Sequence, residues 1–434
     1  MAKWGSGGTP SRANPNYYGG DIPWVKTGDL GPKNLSIASE FITAEGLQNS
    51  SAKLFPKGSI AIAMYGATIG KTSILDIDAS TNQACAVATP LKGMDRVFTY
   101  YLLNNEKQNF IKKGKGGAQP NISQEILKAH EILLPPKNEQ IRIADKLDSL
   151  LAQVDAAQAR LEKIPTLLKR FRQSVLAAAT SGELTREWRE RNGDSLDNWP
   201  NKTISDITIK CFDGPFGSKL KTADYTSEGV KVARLENIGH LKFLHEKETF
   251  ISGEKFESLI GNKLMDMDIL FSSFVDEEVR TCIFRDEFGT YINKADCFCL
   301  RTDLNQCLPE FLVLRLACKS TFEQAKDQIH GATRPRINLK FLKSLKLKIP
   351  NIKEQTEIVR RVESLFSQAD AVEKQYLAAK QRLDRLSQSL LAKAFRGELV
   401  PQDPNDEPAA ELLKRIQAER TTLTPTRRQR NQPA

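Results

Sequence analysis

The sequence is poor in the residues that build metal sites and disulfide frameworks. It has four histidines and seven cysteines in 434 residues, and no two cysteines form a C-x-x-C pair. Cys297 and Cys299 stand too close together for a zinc knuckle, so reduced thiols, as in the cytoplasm, are expected. No apolar run approaches the roughly 20 residues that span a bilayer, and no apolar signal stretch opens the chain. These absences exclude a disulfide scaffold and a membrane-spanning protein, and they predict a cytoplasmic location.

The charge balance favours an anionic partner. The formal net charge is +10 and the isoelectric point is near 9.1. The excess is spread along the chain, which fits several folded surfaces facing a nucleic acid. The length allows two or three domains.

Residues 66–72, Gly-Ala-Thr-Ile-Gly-Lys-Thr, come close to a nucleotide-binding loop. The pattern G-x-x-x-x-G-K-[ST] needs a glycine at position 65, where Tyr65 stands. The flanking stretches, 59–64 and 73–78, are both typical of strands. A glycine-rich turn between two strands predicts a hairpin that carries Lys71, and no ATP site.

The chain contains an internal repeat. Pro135 matches Pro350 and Gly182 matches Gly397, at a constant offset of 215 residues. Residues 139–184 align with 354–399 without a gap, with 18 identities in 46 positions. The alignment extends upstream to the segments 116–123 and 331–338. Two divergent domains therefore alternate with two copies of a shared segment.

The shared segments are predicted to be long helices. Apolar residues recur at alternating spacings of four and three from Ile143 to Val175 and from Ile358 to Leu390, which is typical of a coiled coil. Both helices follow prolines, and they are expected to end near the two matched glycines. Pro165 should kink the first helix, because a proline inside a helix costs about 3 kcal/mol. Antiparallel pairing of the two helices would make a pseudo-two-fold arrangement from one chain.

Each divergent domain has basic loops suited to DNA. The segments 112–119 and 331–336 overlap in the alignment of the two halves and are rich in glycine and basic residues. Arginine can bind guanine with two hydrogen bonds, and glutamine can bind adenine in the same way. The candidate DNA-binding residues are Arg12, Lys26, Lys71, Lys113, Lys115, Gln119, Lys219, Lys221, Arg234, Arg280, Arg334 and Arg336.

The motifs together resemble the specificity (S) subunits of Type I restriction-modification systems. In the first half the similar stretches are GGTPSRANPNYYGGDIPWVKTGDL at 7–30, MYGATIGKT at 64–72 and NQACA at 82–86. In the second half they include GPFGSKLKTADYTSEGVKVARLENI at 214–238. NEQIRIADKLD at 138–148 and KEQTEIVRRVE at 353–363 open the shared helices, and FRQSVLAAATSGELT and LSQSLLAKAFRGELV close them.

The resemblance implies a separate role for each part of the chain and for each partner subunit. Two target recognition domains, here 1–136 and 193–350, would each read one half of a bipartite double-stranded DNA sequence. The spacer helices, here 137–192 and 351–400, would set the unread length between the halves and dock two copies of a modification subunit. A tail covers 401–434. That modification subunit methylates adenine using S-adenosylmethionine, and a restriction subunit uses ATP. The S subunit has neither a catalytic site nor a cofactor.

One departure from the family pattern stands at the start of the chain. Trp199-Pro200 through Ile207 leads into the second domain, whereas the first domain begins at Met1 almost directly with the Gly-Gly motif. Either the first domain lacks a short lead-in element, or the start site lies elsewhere.

Two other classes of function compete with DNA recognition. A coiled-coil scaffold that binds proteins would need no basic loops at matched places in the two domains. An enzyme, either an NTPase or a methyltransferase, would need a cofactor loop. Residues 14–17, Asn-Pro-Asn-Tyr, resemble the N-P-P-Y signature of adenine methyltransferases, but Asn16 breaks its Pro-Pro turn. We expect a simple turn there.

Overall fold

The computed structural model describes residues 1–114, 121–275, 278–326 and 335–423. The chain divides into two compact units: the first contains Met1–Leu161 and the described residues from Ala378 onward, and the second contains Glu162–Leu377. Both units combine helices with sheets, so the predicted α+β class is confirmed. Among the described helices, none has the length and apolar character needed to cross a bilayer.

The first unit is built on two sheets with helices behind one of them. Its strands are β1 (Ala2–Ser6), β2 (Tyr18–Val25), β3 (Asn34–Leu35), β4 (Glu40–Ile42), β5 (Leu54–Phe55), β6 (Ile60–Ala63), β7 (Thr72–Leu75), β8 (Ala79–Thr81) and β9 (Cys85–Pro90). They form sheets of order β1-β9-β6-β7-β3 and β4-β2-β8-β5. The helices are α1 (Ala44–Gln48), α2 (Arg96–Asn105), α3 (Lys107–Lys113), α4 (Gln124–Ala129) and α5 (Lys137–Leu161).

Strand β6 is buried on both faces. Because successive side chains of a strand point to opposite sides, Ile60 and Ile62 pack with residues of α2, α3 and α4. Ala61 and Ala63 pack instead with residues of the second sheet. The small alanines let the two sheets approach each other, and the larger isoleucines fill the helical side of the core.

The predicted hairpin around Lys71 is confirmed. Strands β6 and β7 pair antiparallel, and Gly66 and Gly70 have φ angles of 78° and 72° in the turn between them. The turn uses its own amides: Gly70 N–H donates to Ala63 at 2.8 Å, and Lys71 N–H donates to Thr68 at 2.9 Å. A phosphate loop needs such N–H groups free for its ligand, so this turn is not a nucleotide site.

The first shared helix is interrupted at the predicted place. Helix α5 ends at Leu161, and α6 (Ile164–Ser181) begins with Pro165 in its first turn. A proline is tolerated there because its missing N–H would have no partner in any case. The kink predicted at Pro165 therefore takes the form of one helix ending and another beginning. Helix α6 ends at Gly182, whose φ is 82°, as a left-handed helix stop requires.

The second unit repeats the sheet-and-helix plan. Helix α7 (Arg186–Arg191) is followed by β10 (Asn201–Thr203), β11 (Thr208–Phe212), β12 (Tyr225–Thr226), β13 (Val230–Ala233), β14 (Phe250–Ile251), α8 (Gly253–Ser258), β15 (Ile269–Ser272), β16 (Thr281–Ile283), β17 (Tyr291–Asn293), β18 (Cys297–Thr302), α9 (Pro309–Ala317), α10 (Lys319–Lys326), α11 (Leu339–Ser344) and β19 (Lys346–Lys348). The sheets have the orders β10-β19, β11-β18-β15-β16 and β12-β14-β13-β17.

The second shared helix, α12 (Ile352–Phe395), runs without a break for 44 residues. Gly397 follows it with a φ of 76°. The segment expected to be a tail carries a further helix, α13 (Ala409–Leu423). Leu412 and Ile416 of α13 are buried against Leu91 and Met94. Helix α13 has few apolar positions and depends on this packing. The periodicity of the sequence therefore did not predict it.

Each unit contains its own paired portions of the shared helices. In the first unit, Ile143 and Leu147 of α5 are buried with Leu391 and Ala394 of α12. In the second unit, Val175 and Leu176 of α6 are buried with Ile358 and Val362. Polar contacts accompany the packing: Gln158 bonds Asp384 at 3.4 Å in the first unit, and Arg172 binds Asp370 at 2.6 Å in the second.

Candidate nucleic-acid interface

Several loops of the first unit meet at one edge of its five-stranded sheet. Strands β1 and β6 end there, and β7 and β9 begin there. Backbone bonds hold the loops together: Gly8 N–H donates to Thr81 at 2.9 Å, Met64 N–H to Ala84 at 2.9 Å, and Ile122 N–H to Met64 at 2.8 Å. We call this edge, and the equivalent edge of the second unit, the loop edge. In the first unit the loop edge carries Arg12, Lys26 and Lys71.

Arg12 and Lys26 are brought together by one carboxylate. Glu40 Oε2 binds Arg12 Nη2 and Glu40 Oε1 binds Lys26 Nζ, each at 2.6 Å. The hydrogen bonds from Lys26 and Arg12 lower the pKa of Glu40. The Arg12 guanidinium also lies 4.2 Å from the ring centre of Tyr18 and 5.2 Å from that of Trp24. The two cations are therefore held in place while remaining partly open to solvent.

The other predicted residues of the first unit differ in their surroundings. Lys71 is exposed, and its side chain makes no ion pair within the described residues. Lys113 ends α3, where its Nζ lies 3.4 Å from His130 Nδ1, and His130 in turn contacts Glu106 at 2.9 Å. Lys115 and Gln119 lie outside the described residues.

Arg234 and Arg280 of the second unit occupy the positions that Lys26 and Lys71 have in the first unit. Lys26 N–H bonds an Asp29 oxygen at 2.8 Å, and Arg234 N–H bonds the matching Asn237 oxygen at 2.8 Å. Each residue directly follows the strand that pairs in parallel with a later strand of its sheet.

The hairpins match in the same way. Ala63 N–H donates to the Lys71 carbonyl at 2.9 Å, and Ser272 N–H donates to the Arg280 carbonyl at 2.9 Å. Sequence comparison gave only a weak echo for the first pair, Gly28-Asp29-Leu30 against Glu236-Asn237-Ile238, and it did not align Lys71 with Arg280. The backbone bonding establishes the equivalence of both pairs.

The side chains of Arg280 and Arg234 also make contacts within the protein. Arg280 donates from Nη1 to the Leu235 carbonyl at 3.2 Å and from Nη2 to Ser272 Oγ at 3.1 Å. Arg234 lies 3.4 Å from Glu236. Much of the hydrogen-bonding capacity of Arg280 is thus used inside the protein.

Arg336 lies beside the hairpin of the second unit. Its guanidinium is 4.4 Å from the ring centre of Phe274 and 3.4 Å from Asp296, with 43% of the side chain exposed. Ile337 N–H fixes the segment by donating to Ser273 at 3.0 Å. The neighbouring Arg334 lies outside the described residues.

Lys219 and Lys221 lie on the loop after β11, and both side chains are exposed. The structure therefore groups Arg234, Arg280 and Arg336 around one hairpin and places these two lysines on a neighbouring loop.

Sequence reasoning missed the aromatic and acidic residues of the loop edges. Tyr65 in the hairpin of the first unit is 36% exposed, and Phe216 on the loop after β11 is 69% exposed. An aromatic residue beside glycines in a turn is the signal that could have identified both. Glu40 and Asp296, which hold the cations, carry no comparable signal because their partners are distant in sequence.

The stretch that resembles the methyltransferase signature is a simple turn, as expected. The Asn-Pro-Asn-Tyr stretch is a single 3-10 turn, in which the Asn14 side chain accepts from Asn16 N–H at 3.2 Å. Among the described residues no group of three or more histidine, cysteine or acidic side chains could hold a metal ion.

The family assignment rests on two separate matches. Residues 1–166 and 198–379 match the Type I restriction modification DNA specificity domain. The chain belongs to this family. The Type I restriction enzyme StySPI specificity subunit of Salmonella potsdam is 32% identical over 431 residues, which cover 93% of this chain and 90% of the relative. The EcoDI specificity subunit of Escherichia coli is 33% identical over 74% of this chain and 76% of the relative.

Solved structures agree in fold. The HsdS subunit from Thermoanaerobacter tengcongensis superposes with a TM-score of 0.59 at 17% identity, covering 91% of this chain and 97% of that one. A chain from a structure describing assembly and conformational transition of the type I R-M system gives a TM-score of 0.64 at 17% identity. The resemblance to the Type I specificity family, inferred from motifs, is confirmed.

Proposed function

We propose that the chain is the non-catalytic subunit that gives a Type I restriction-modification complex its DNA specificity. The observation that carries the proposal is the match between the two loop edges, where Lys26 and Arg234, and likewise Lys71 and Arg280, occupy equivalent positions. A protein that reads two halves of one DNA target needs basic groups at the same place in both readers. A scaffold that binds only proteins predicts no such match.

The recognition domains in this proposal cover 1–136 and 193–350, and each reads one half of a bipartite duplex. The loop edges bear the contacts, with exposed Lys71, Lys219 and Lys221 suited to phosphates and Arg336 suited to a base edge. Two copies of a modification subunit and a separate restriction subunit complete the assembly. The methyl donor and ATP bind to those chains.

The spacer segments 137–192 and 351–400 set the distance between the half-sites in this proposal. The internal repeat supports an antiparallel coiled coil with pseudo-two-fold symmetry. Inserting four residues into each helix adds about 6 Å at 1.5 Å per residue, close to two base-pair steps of about 3.4 Å. The unread DNA spacer should then lengthen; an unchanged spacer would show that the helices do not measure it.

The experiment that tests the function is a map of methylated adenines in DNA from cells that express this chain with its modification partner. We expect methylation at one bipartite sequence with a fixed unread spacer, and none when the chain is omitted. Methylation that does not depend on the chain, or binding of the complex to every duplex with equal affinity at moderate salt, would rule out a specificity role.

A further inference from the structure

Phe216 lies on the loop that follows β11, and 69% of the residue is exposed. The residues before it on this loop, Gly214 and Pro215, are buried. On the other side, Leu220 is 5% exposed and belongs to an apolar cluster of the second unit. The ring of Phe216 is thus held out into solvent between two points where the chain is fixed to the core.

Hydrogen bonds fix the base of this loop. Asp213 Oδ1 accepts from Gly214 N–H at 2.7 Å and from Asp296 N–H at 3.0 Å. Ala295 N–H donates to the Pro215 carbonyl at 3.3 Å. Because the backbone is already in place, little freedom would be lost when a ligand meets the loop, and this favours binding.

The loop shares an anchor with Arg336 at the loop edge. Asp296, whose N–H binds Asp213, also lies 3.4 Å from Arg336 Nη1 through its Oδ2. Lys219 and Lys221, further along the loop, are exposed, and neither makes an ion pair among the described residues. An apolar ring among cations suits a nucleic acid, in which a charged backbone flanks the apolar faces of the bases.

The first unit presents a hydroxyl at the matching place. Gly7 and Gly214 stand shortly after the equivalent strands β1 and β11, each of which pairs antiparallel with the last strand of its sheet. A Cβ would lie 2.0 Å from a backbone atom at Gly7 and 2.1 Å from one at Gly214. Two residues further on stand Thr9 and Phe216. The Thr9 hydroxyl donates to the Gln83 side chain, so the second unit alone offers a ring at this position.

Given the proposed function, on which this inference rests, we propose that the Phe216 ring enters the DNA base stack at one base-pair step of the half-site read by the second unit. An apolar side chain inserted in this way unstacks the step and kinks the duplex. Stacking of the ring on the exposed base faces offsets the cost of unstacking. The first unit, with Thr9 at this place, leaves its half-site stacked there.

The inserted ring predicts the kind of step that the second half-site contains. Steps of the types TA and CA/TG unstack most easily, so one of them should stand where Phe216 enters. Each of these steps contains a thymine. Permanganate, which oxidises unstacked thymines, therefore locates the step.

The test uses the complex of the full chain with its modification partner, bound to the bipartite duplex that methylation mapping identifies. Energy transfer between dyes at the two ends of the duplex measures the kink. Phe216→Ala should weaken binding about ten-fold, reduce the kink and protect thymines in the second half-site alone. Phe216→Trp should retain the kink and the thymine reactivity, because another aromatic ring can stack in the same way.

Two control variants separate stacking from charge and from the loss of apolar surface. Lys219→Ala should lower the slope of log affinity against log salt by about 0.9 and leave the kink unchanged, whereas Phe216→Ala should leave the slope unchanged. Leu304→Ala removes an exposed apolar side chain beyond the other end of β18 and should bind and kink the duplex as the natural chain does.

Three results would count against the inserted ring. The same kink and thymine reactivity with Phe216→Ala as with the natural chain would overturn this inference alone, even if the affinity falls, because the ring would then touch only a base edge. Weaker assembly of Phe216→Ala with the modification subunit in the absence of DNA would also overturn it, since the ring would contact that subunit. A natural complex that binds the target and a scrambled duplex equally would overturn the proposed function and this inference together.

Discussion

The side-chain oxygen of Gln140 accepts the backbone N–H of Asp95, the residue that caps α2, at 2.9 Å. Its Nε2 donates to the Pro135 carbonyl at 3.0 Å. In the second unit, Gln355 repeats both bonds, accepting from Leu308 N–H at 2.7 Å and donating to the Pro350 carbonyl at 2.8 Å. One buried glutamine thus fastens the start of each shared helix to the domain before it.

Replacing Gln355 with leucine should loosen the second unit alone. The change leaves the Leu308 N–H and the Pro350 carbonyl without partners in a buried place, which costs about 1–3 kcal/mol for each unsatisfied group. Hydrogen exchange in α9 should accelerate while exchange in α2 stays constant. Gln368→Leu is the matched control, because Gln368 is exposed on the same helix. Equal exchange in the variant and the control would show that the bonds are unimportant.

Glu40→Gln should strengthen DNA binding. The neutral amide no longer neutralises Arg12 and Lys26, so both become more available to phosphates, each worth about 0.9 in the slope of log affinity against log salt. We expect tighter binding at low salt and a slope steeper by up to about two, measured by titration of the complex with its target duplex.

Asp76→Asn provides the control for Glu40→Gln. It breaks the exposed pair between Lys57 and Asp76 (2.8 Å) beyond the other end of β7, and it makes the same change in net charge. If both variants raise the affinity equally, the effect is one of net charge, and Arg12 and Lys26 have no special place in the interface.

The equivalent residues Lys71 and Arg280 should respond differently to alanine. Lys71 is exposed without an ion pair in the described chain, so Lys71→Ala should weaken binding to all duplexes alike and reduce the salt slope by about one. Arg280 donates to Leu235 and Ser272, so Arg280→Ala should also lower the unfolding midpoint in urea. A stable Arg280→Ala chain would contradict the structural role given to that guanidinium.

The sequence was sufficient for features that depend on local patterning. The hairpin at Lys71 follows from two apolar stretches around glycines, and the helix break follows from Pro165, whose ring and missing N–H act within one turn. The repeat predicted that the shared helices end near Gly182 and Gly397. Both glycines adopt the positive φ that stops a helix. Each of these features is decided by residues within a few positions of one another.

Features set by tertiary contact were beyond sequence reasoning. Helix α13 depends on Leu412 and Ile416 packing against the α2 region, so its own periodicity is weak. The equivalence of Lys71 with Arg280 is defined by backbone bonds in divergent sequences. The pairing of Arg12 and Lys26 through Glu40 joins residues up to 28 positions apart, and no spacing rule predicts it.

Arg336→Ala should impair one half-site only. The Arg336 guanidinium is held by Phe274 and Asp296 yet is 43% exposed, which suits a bidentate contact to a base edge. Losing such a contact costs about 1–3 kcal/mol at one base pair. Affinities for duplexes with single base-pair changes, measured once the methylated target is known, should show relaxed discrimination in one half and unchanged discrimination in the other.

Two further variants decide what Arg336 contacts. Arg336→Lys keeps the charge but loses the planar pair of donors, so full recovery of discrimination by lysine would mean a phosphate contact instead of a base contact. Arg285→Ala removes a partly exposed arginine beyond the opposite end of β16 and should leave both half-sites intact. Alanine at position 336 exposes Phe274 without opening the core, so a loss confined to one half-site can be attributed to recognition. Equal weakening at both half-sites would show that Arg336 is not part of the surface that reads DNA.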